Sequence, residues 1–183
     1  MKISFFVSPT LLYLFLFIPS LHASESPFLL SKMREMYPKA SAKEEVGRKF
    51  YDQMASYRGT NAVVLGYQAV SEAVMAKFVW SPYQKLRHLR NAQKIFQQAL
   101  STDPRNPEVR FLRYTVEYSV PRYLKMSEHL AEDREMVVDH LLRYPNSKVD
   151  PEGFRLMSAF MMKENHLSAS EKAVITRKLA GKH

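Results

Sequence analysis

Cysteine is absent from all 183 residues. That excludes a disulfide framework and a lipidated N-terminal Cys, so packing alone must hold the fold. Glycine occurs only five times, too few for phosphate-cradling loops, and no G-x-S-x-G or Cys supplies an activated nucleophile. Period-two alternation bounded by hairpin turns is missing, which removes the signal for a sheet. Low-complexity tracts are missing too, so no disordered linker is expected.

Cation is what the chain has in excess: 27 Lys and Arg against 18 Asp and Glu, a net charge of +9. The first 23 residues are expected to be a secretory signal, with Lys2, an apolar run from Leu11 through Ile18, Pro19, and Leu21-His22-Ala23 before Ser24. Cleavage is expected after Ala23, an uncleaved anchor being the other reading. The run is shorter than the roughly 20 apolar residues of a membrane-spanning helix. Its removal leaves about 160 residues, enough for one domain with a proper core. Lys2 is the only charged residue lost, so an exported, periplasmic or secreted chain stays basic. Such a balance favours lipid headgroups, acidic glycans or an acidic protein partner. Nucleic acid is set aside because of export and because the cations are interspersed with acids.

Capping signals divide the remainder into helices. Residues 24–40 form an arm or short helix that Pro38 ends. Ser41 and Glu44 have capping-box spacing and open a helix over 42–58, with Gly59 as its left-handed stop. Asn61 or Thr60 caps an apolar helix running to Trp80, in which Gly66, Ala69, Ala73 and Ala76 line one side, as expected of a buried central helix. Ser81-Pro82, Asn106-Pro107 and Asp150-Pro151 each place a capping side chain before a proline at the first helical position. Pro121 breaks the chain, Ser127 caps a helix over 128–143, and Ser168 with Glu171 boxes a last helix that closes before Gly181. The expected fold is all-α, about seven helices in antiparallel hairpins, as one domain over 41–183.

Ala92, Phe96, Ala99 and Pro104 have the order and spacing of the second helix of a tetratricopeptide (TPR) repeat. That resemblance implies a TPR-like α-solenoid or bundle, with one elongated hairpin, since the Leu65-Gly66 pair stands too far upstream for a regular repeat. A weaker echo at Pro145 and Asn146 has His140 where alanine is expected. Two degenerate repeats fall short of the three or more that an array needs. From Trp80 to Leu141, the runs W-S-P-Y-Q-K-L, A-L-S-T-D-P-R-N-P-E-V-R-F-L-R, V-P-R-Y-L and A-E-D-R-E resemble a family of small exported bacterial proteins with no assigned activity. Ser81 replaces the family's usual Asn, and Lys125-Met126 stands where Gly-Tyr often occurs. The resemblance implies a helical fold and export.

Arg110, Arg113 and Tyr114, with Arg122 and Tyr123 beyond them, are the candidate partner-binding residues, since Arg and Tyr together suit an acidic peptide or glycan. The competing reading pairs Arg113 with Glu117 one turn on, and Arg110 with an acid of a neighbouring helix. His129, Asp133 and His140 lack the spacing of a zinc protease or di-iron bundle, so the acids of 128–143 read as a solvated face. Trp80 is expected to pack at a helix end, or to line a sugar or peptide groove with Pro82 and Tyr83. The ten methionines read as core filler. No cofactor, metal or catalytic set is expected. The chain reads as a scaffold that binds a protein or peptide in the cell envelope, and the alternative is an envelope hydrolase or lipid-binding protein with its site in the helical core.

Overall fold

Side-chain caps written into the sequence start most of the helices. A computed structural model describes residues 28–181, and the expected signal segment lies outside the described residues. Within them run α1 (Leu30–Ala42), α2 (Glu44–Ala55), α3 (Ala62–Phe78), α4 (Pro82–Thr102), α5 (Pro107–Ser119), α6 (Leu130–Arg143), α7 (Pro151–Met161) and α8 (Ala169–Leu179), with a 3₁₀ turn at Arg122–Leu124 and no strand. The class is all-α, and α1 is the segment expected as an arm or short helix.

Asn61 Oδ1 accepts from the amides of Val63 and Val64 at 3.0 and 3.2 Å. Asn106 Oδ1 accepts from Glu108 and Val109, both at 3.1 Å. Asp150 Oδ1 accepts from Glu152 and Gly153 at 3.0 and 2.9 Å, and Ser168 and Glu171 form the expected capping box. Each satisfies amides that the first turn leaves unpaired.

Four expected boundaries are corrected. Pro38 lies inside α1. It removes one amide donor, but Met33, Arg34 and Ala40 are buried on either side of it, and this packing carries the helix through. Ser41 therefore belongs to the last turn of α1, and α2 starts after an extended Lys43 with no side-chain cap. Gly59 is no left-handed stop, because α2 ends at Ala55 and Gly181 alone among the described glycines has positive φ, at 68°. Ser127 caps nothing; its hydroxyl donates to the Glu117 carbonyl at 2.9 Å, and α6 begins at Leu130.

Helix α3 is the centre, packed against α1, α2, α4 and α5. Its row of small residues works as the spacing predicts: a Cβ at Gly66 would lie 3.1 Å from Leu112 of α5, and Ala69 is fully buried. With α4 it makes an antiparallel hairpin whose α4 side buries Ala92, Phe96 and Ala99. Helix α5 carries the packing on to α6 and α7. Met33, Met54, Met157 and Met161 fill the core around them.

One buried cation joins the two halves. Arg34, 8% exposed, grips Glu108 with Nε and Nη2 at 2.9 and 2.6 Å. It grips Asp150 with Nη1 and Nη2 at 2.9 and 2.7 Å, and Glu152 lies 3.3 Å away. Tyr67 of α3 donates to Glu108 Oε1 at 2.7 Å. Burial by itself would lower the Arg34 pKa, but the bonds to Glu108 and Asp150 outweigh it and hold the guanidinium above its ordinary value. The Tyr67 hydroxyl is pushed well up by burial and by the neighbouring Glu108 charge. Gly153 makes room for this contact, since a Cβ there would stand 3.1 Å from Arg34 Nη2.

Arg34→Met is expected to cost about 3–5 kcal/mol, because it strands the buried Glu108 carboxylate without its cation. Glu152→Gln, at a half-exposed position, should change stability by less than about 1 kcal/mol. Urea unfolding of both variants checks the contrast; equal losses would show that the buried pair is not the dominant contact.

Candidate functional site

Much of the run from Asp103 to Arg113 is spent inward, with Pro104 and Arg105 left exposed. Asp103 accepts from Asn106 Nδ2 at 3.0 Å, Asn106 caps α5, and Glu108 meets Arg34. Val109, Phe111 and Leu112 are completely buried. Arg110 closes the α4–α5 turn, with Nε and Nη2 donating to the Pro104 carbonyl at 3.0 and 2.8 Å. Its Nη1 reaches Glu132 at 2.5 Å and Asp133 at 2.9 Å. Arg113 donates to both oxygens of Asp133 at 2.6 and 2.8 Å.

The five candidate residues therefore do not form one free patch. Asp133 of α6 is fully buried, and a buried carboxylate without a cation is costly, so both arginines turn to it. Arg110 does pair with acids of a neighbouring helix, but the Arg113–Glu117 pair does not form. Burial would lower the Arg110 pKa; its bonds to Asp133 and Glu132 overcome this and raise it. Tyr114 is buried and its hydroxyl shares a 2.7 Å hydrogen bond with His166 Nδ1. Arg122 and Tyr123 remain exposed.

Glu117 has a different task from the one its spacing predicts. Its carboxylate accepts from the His129 amide at 2.9 Å and meets His129 Nδ1 at 2.9 Å. A residue of α5 thus caps the start of α6, where the helix dipole favours an anion. The face of α6 is only partly solvated: Glu132, Glu135 and Asp139 are exposed, while Asp133 and His140 are buried. Among the described residues no three His, Asp or Glu side chains converge as metal ligands.

The open concavity lies beside this network. Helix α4 packs along α3 and touches α5 far less, which leaves a groove of about 510 Å³ between them. Phe96, Leu100, Val116 and Met126 form its floor, and Arg90, Lys94 and Arg113 stand along it. Glu117 is the carboxylate lining it, and it is already held by His129. Leu89, Val116 and Val120 also border a second depression of about 480 Å³ toward the end of α5, so the two run together. Arg90 and Lys94, four residues apart and exposed, were legible as one helix face. That this face overlooks a gap depends on the angle between α4 and α5. Chemically the groove offers apolar contact area with a cationic edge, and the Glu117–His129 pair lines it too.

Trp80 does not pack at a helix end. It is 96% exposed and borders a shallow recess with Arg48, Tyr51 and Arg87.

Burial holds the His166 pKa below its ordinary 6.5, against the pull of Glu164 and with the help of Lys172 and Arg134. Burial also lowers His140, with Arg143 adding to the effect. Both rings are depressed in the fold, so the unfolded chain binds more protons below the ordinary value. Stability should fall as pH drops from about 7.5 to about 5.5, by at most about 1.4 kcal/mol per pH unit for each ring. His166→Gln should flatten that slope in thermal unfolding, and an unchanged slope would rule out His166 as a contributor. No family model, curated protein or solved structure matches the chain, so its function is read from its own geometry.

Proposed function

We propose that the chain is an exported helical scaffold with a TPR-like hairpin, and that its α4–α5 groove takes an acidic amphipathic segment of a partner protein in the cell envelope. The groove carries the reading. From Leu89 to Leu100 its wall is roughly 16 Å long at 1.5 Å per residue, about three turns of a docked helix. An apolar floor with anchors one turn apart is what helix-in-groove recognition uses. The exposed cations Arg90 and Lys94 select for an acidic flank. The helical second-repeat spacing at Ala92, Phe96 and Ala99, the signal-like first 23 residues and the resemblance to small exported proteins agree with such a scaffold.

An enzyme or lipid pocket in the helical core has less to stand on. Glu108, Glu117 and Asp133 are buried, but each is held by a cation or a histidine. Tyr114 and His166 pair with each other, and Phe160 and Tyr118 ring His166 at 4.7 and 4.3 Å between centroids.

A photo-crosslinking residue at Gln93, on the exposed groove face of α4, tests the reading in expressing cells. A captured partner should be lost, by at least about tenfold, when Arg90→Glu and Lys94→Glu are combined, while the helical content stays unchanged. Capture that survives the double reversal would sink the groove reading. Arg110→Glu and Arg113→Glu are poor probes, because each sets a new carboxylate against the buried Asp133.

A further inference from the structure

Three aromatic side chains that the core does not use gather at one end of the bundle. Trp80 is 96% exposed, Tyr123 81% and Tyr83 73%, the three highest values among exposed large apolar side chains of the described residues. Trp80 and Tyr83 flank the α3–α4 turn, and Tyr123 sits in the 3₁₀ turn after α5. The two places are neighbours. One depression is bordered by Lys77 at the end of α3, Lys85 at the start of α4, and Pro121 and Tyr123 after α5. Lys77 Nζ donates to the Ser41 carbonyl at the end of α1, at 2.7 Å. A recess on the other side of the turn brings Arg48 and Arg87 to Trp80.

This face is cationic. Lys85, Arg87, Arg122 and Lys125 are exposed, and among the described residues none has a carboxylate partner. Some of the acids close by are neutralised or hydrogen-bonded: Glu44 meets Arg48 and Glu45 meets Lys49, each at 2.7 Å, and Glu72 bonds His88 Nδ1 at 2.5 Å. Glu128, on the way into α6, and Asp52, next to Tyr51 of the Trp80 recess, are exposed carboxylates left over.

Trp and Tyr have an apolar body and a polar tip, and they settle where hydrocarbon meets headgroup. Lysine and arginine beside them are drawn to lipid phosphate within a Debye length of the surface. No described helix is long and apolar enough to cross a membrane, so contact through this face is peripheral.

We propose that this end of the bundle docks on the surface of an anionic phospholipid bilayer. Trp80, Tyr83 and Tyr123 sit at headgroup level, and Lys85, Arg87, Arg122 and Lys125 face the phosphates. The inference does not depend on the α4–α5 groove.

The single tryptophan of the chain is its own probe. The full chain is titrated with vesicles of phosphatidylglycerol and phosphatidylcholine, or of phosphatidylcholine alone, with and without bromine on the acyl chains. Trp80 emission should shift to the blue and be quenched by brominated lipid only with the anionic vesicles, and rising salt should weaken both effects. Lys85→Glu with Arg87→Glu should loosen binding at least about tenfold, and Tyr123→Ser should reduce the quenching. Arg90→Glu with Lys94→Glu, in the groove, should leave both unchanged. Vesicle binding without any response of Trp80 would mean attachment through another segment, and would overturn the proposal. So would an equal response to soluble glycerol phosphate, which marks a simple anion site, or a stronger one to an acidic oligosaccharide, which marks a glycan surface.

Discussion

Arg34 is the contact on which the arrangement of helices depends. Its guanidinium sits between the first turns of α5 and α7 and beneath Tyr67 of α3, so a single side chain of α1 fixes elements more than a hundred positions apart in sequence. The two acidic partners arise from the same local device. Asn106-Pro107-Glu108 and Asp150-Pro151-Glu152 are both cap, proline and glutamate, and Arg34 reads Glu108 in one and Asp150 in the other. A buried ion pair is weak evidence of net stability against an apolar alternative. What it supplies is register, since only one placement of α1 satisfies Glu108, Asp150 and the gap left by Gly153 together.

A second buried centre repeats this logic between α5 and α6. Asp133 is enclosed and shared by Arg110 and Arg113, while Glu117 crosses to cap α6. Most of the charged side chains from Asp103 to Arg113 are thereby used up in folding, Arg105 staying exposed. Glu108, Arg110 and Arg113 are the complement of buried charges elsewhere, which is why they offer little to a ligand.

These networks leave one groove and one aromatic end uncovered. Helix α4 is committed to α3 along its length, and its distance from α5 opens a groove with an apolar floor. The turn at its start projects Trp80 and Tyr83 away from the core. The groove wall and Tyr83 belong to the same helix, and Trp80 stands just before it.

The chain order of helices was legible because caps and first-turn prolines are local chemistry. Asn61, Ser81, Asn106, Asp150 and Ser168 each satisfy amides two or three residues away, and no distant group is needed to predict them. The small residues of α3 and the buried stripe of Ala92, Phe96 and Ala99 were legible for the same reason, as helical periodicity places them on one face. The failures all involve partners far away in sequence. Ser41 and Glu44 have the spacing of a capping box, but tertiary packing carries α1 through Pro38 and past Ser41. Ser127 yields its capping role to Glu117 of the previous helix. Arg110, Arg113 and Tyr114 have a binding-site composition, yet Asp133 and His166 claim them. Sequence by itself determined where α3, α4, α5, α7 and α8 start, and which face α3 and α4 bury. Only the tertiary structure decided which charges cancel, because desolvation makes a buried carboxylate seek any cation within reach, whatever its place in the chain.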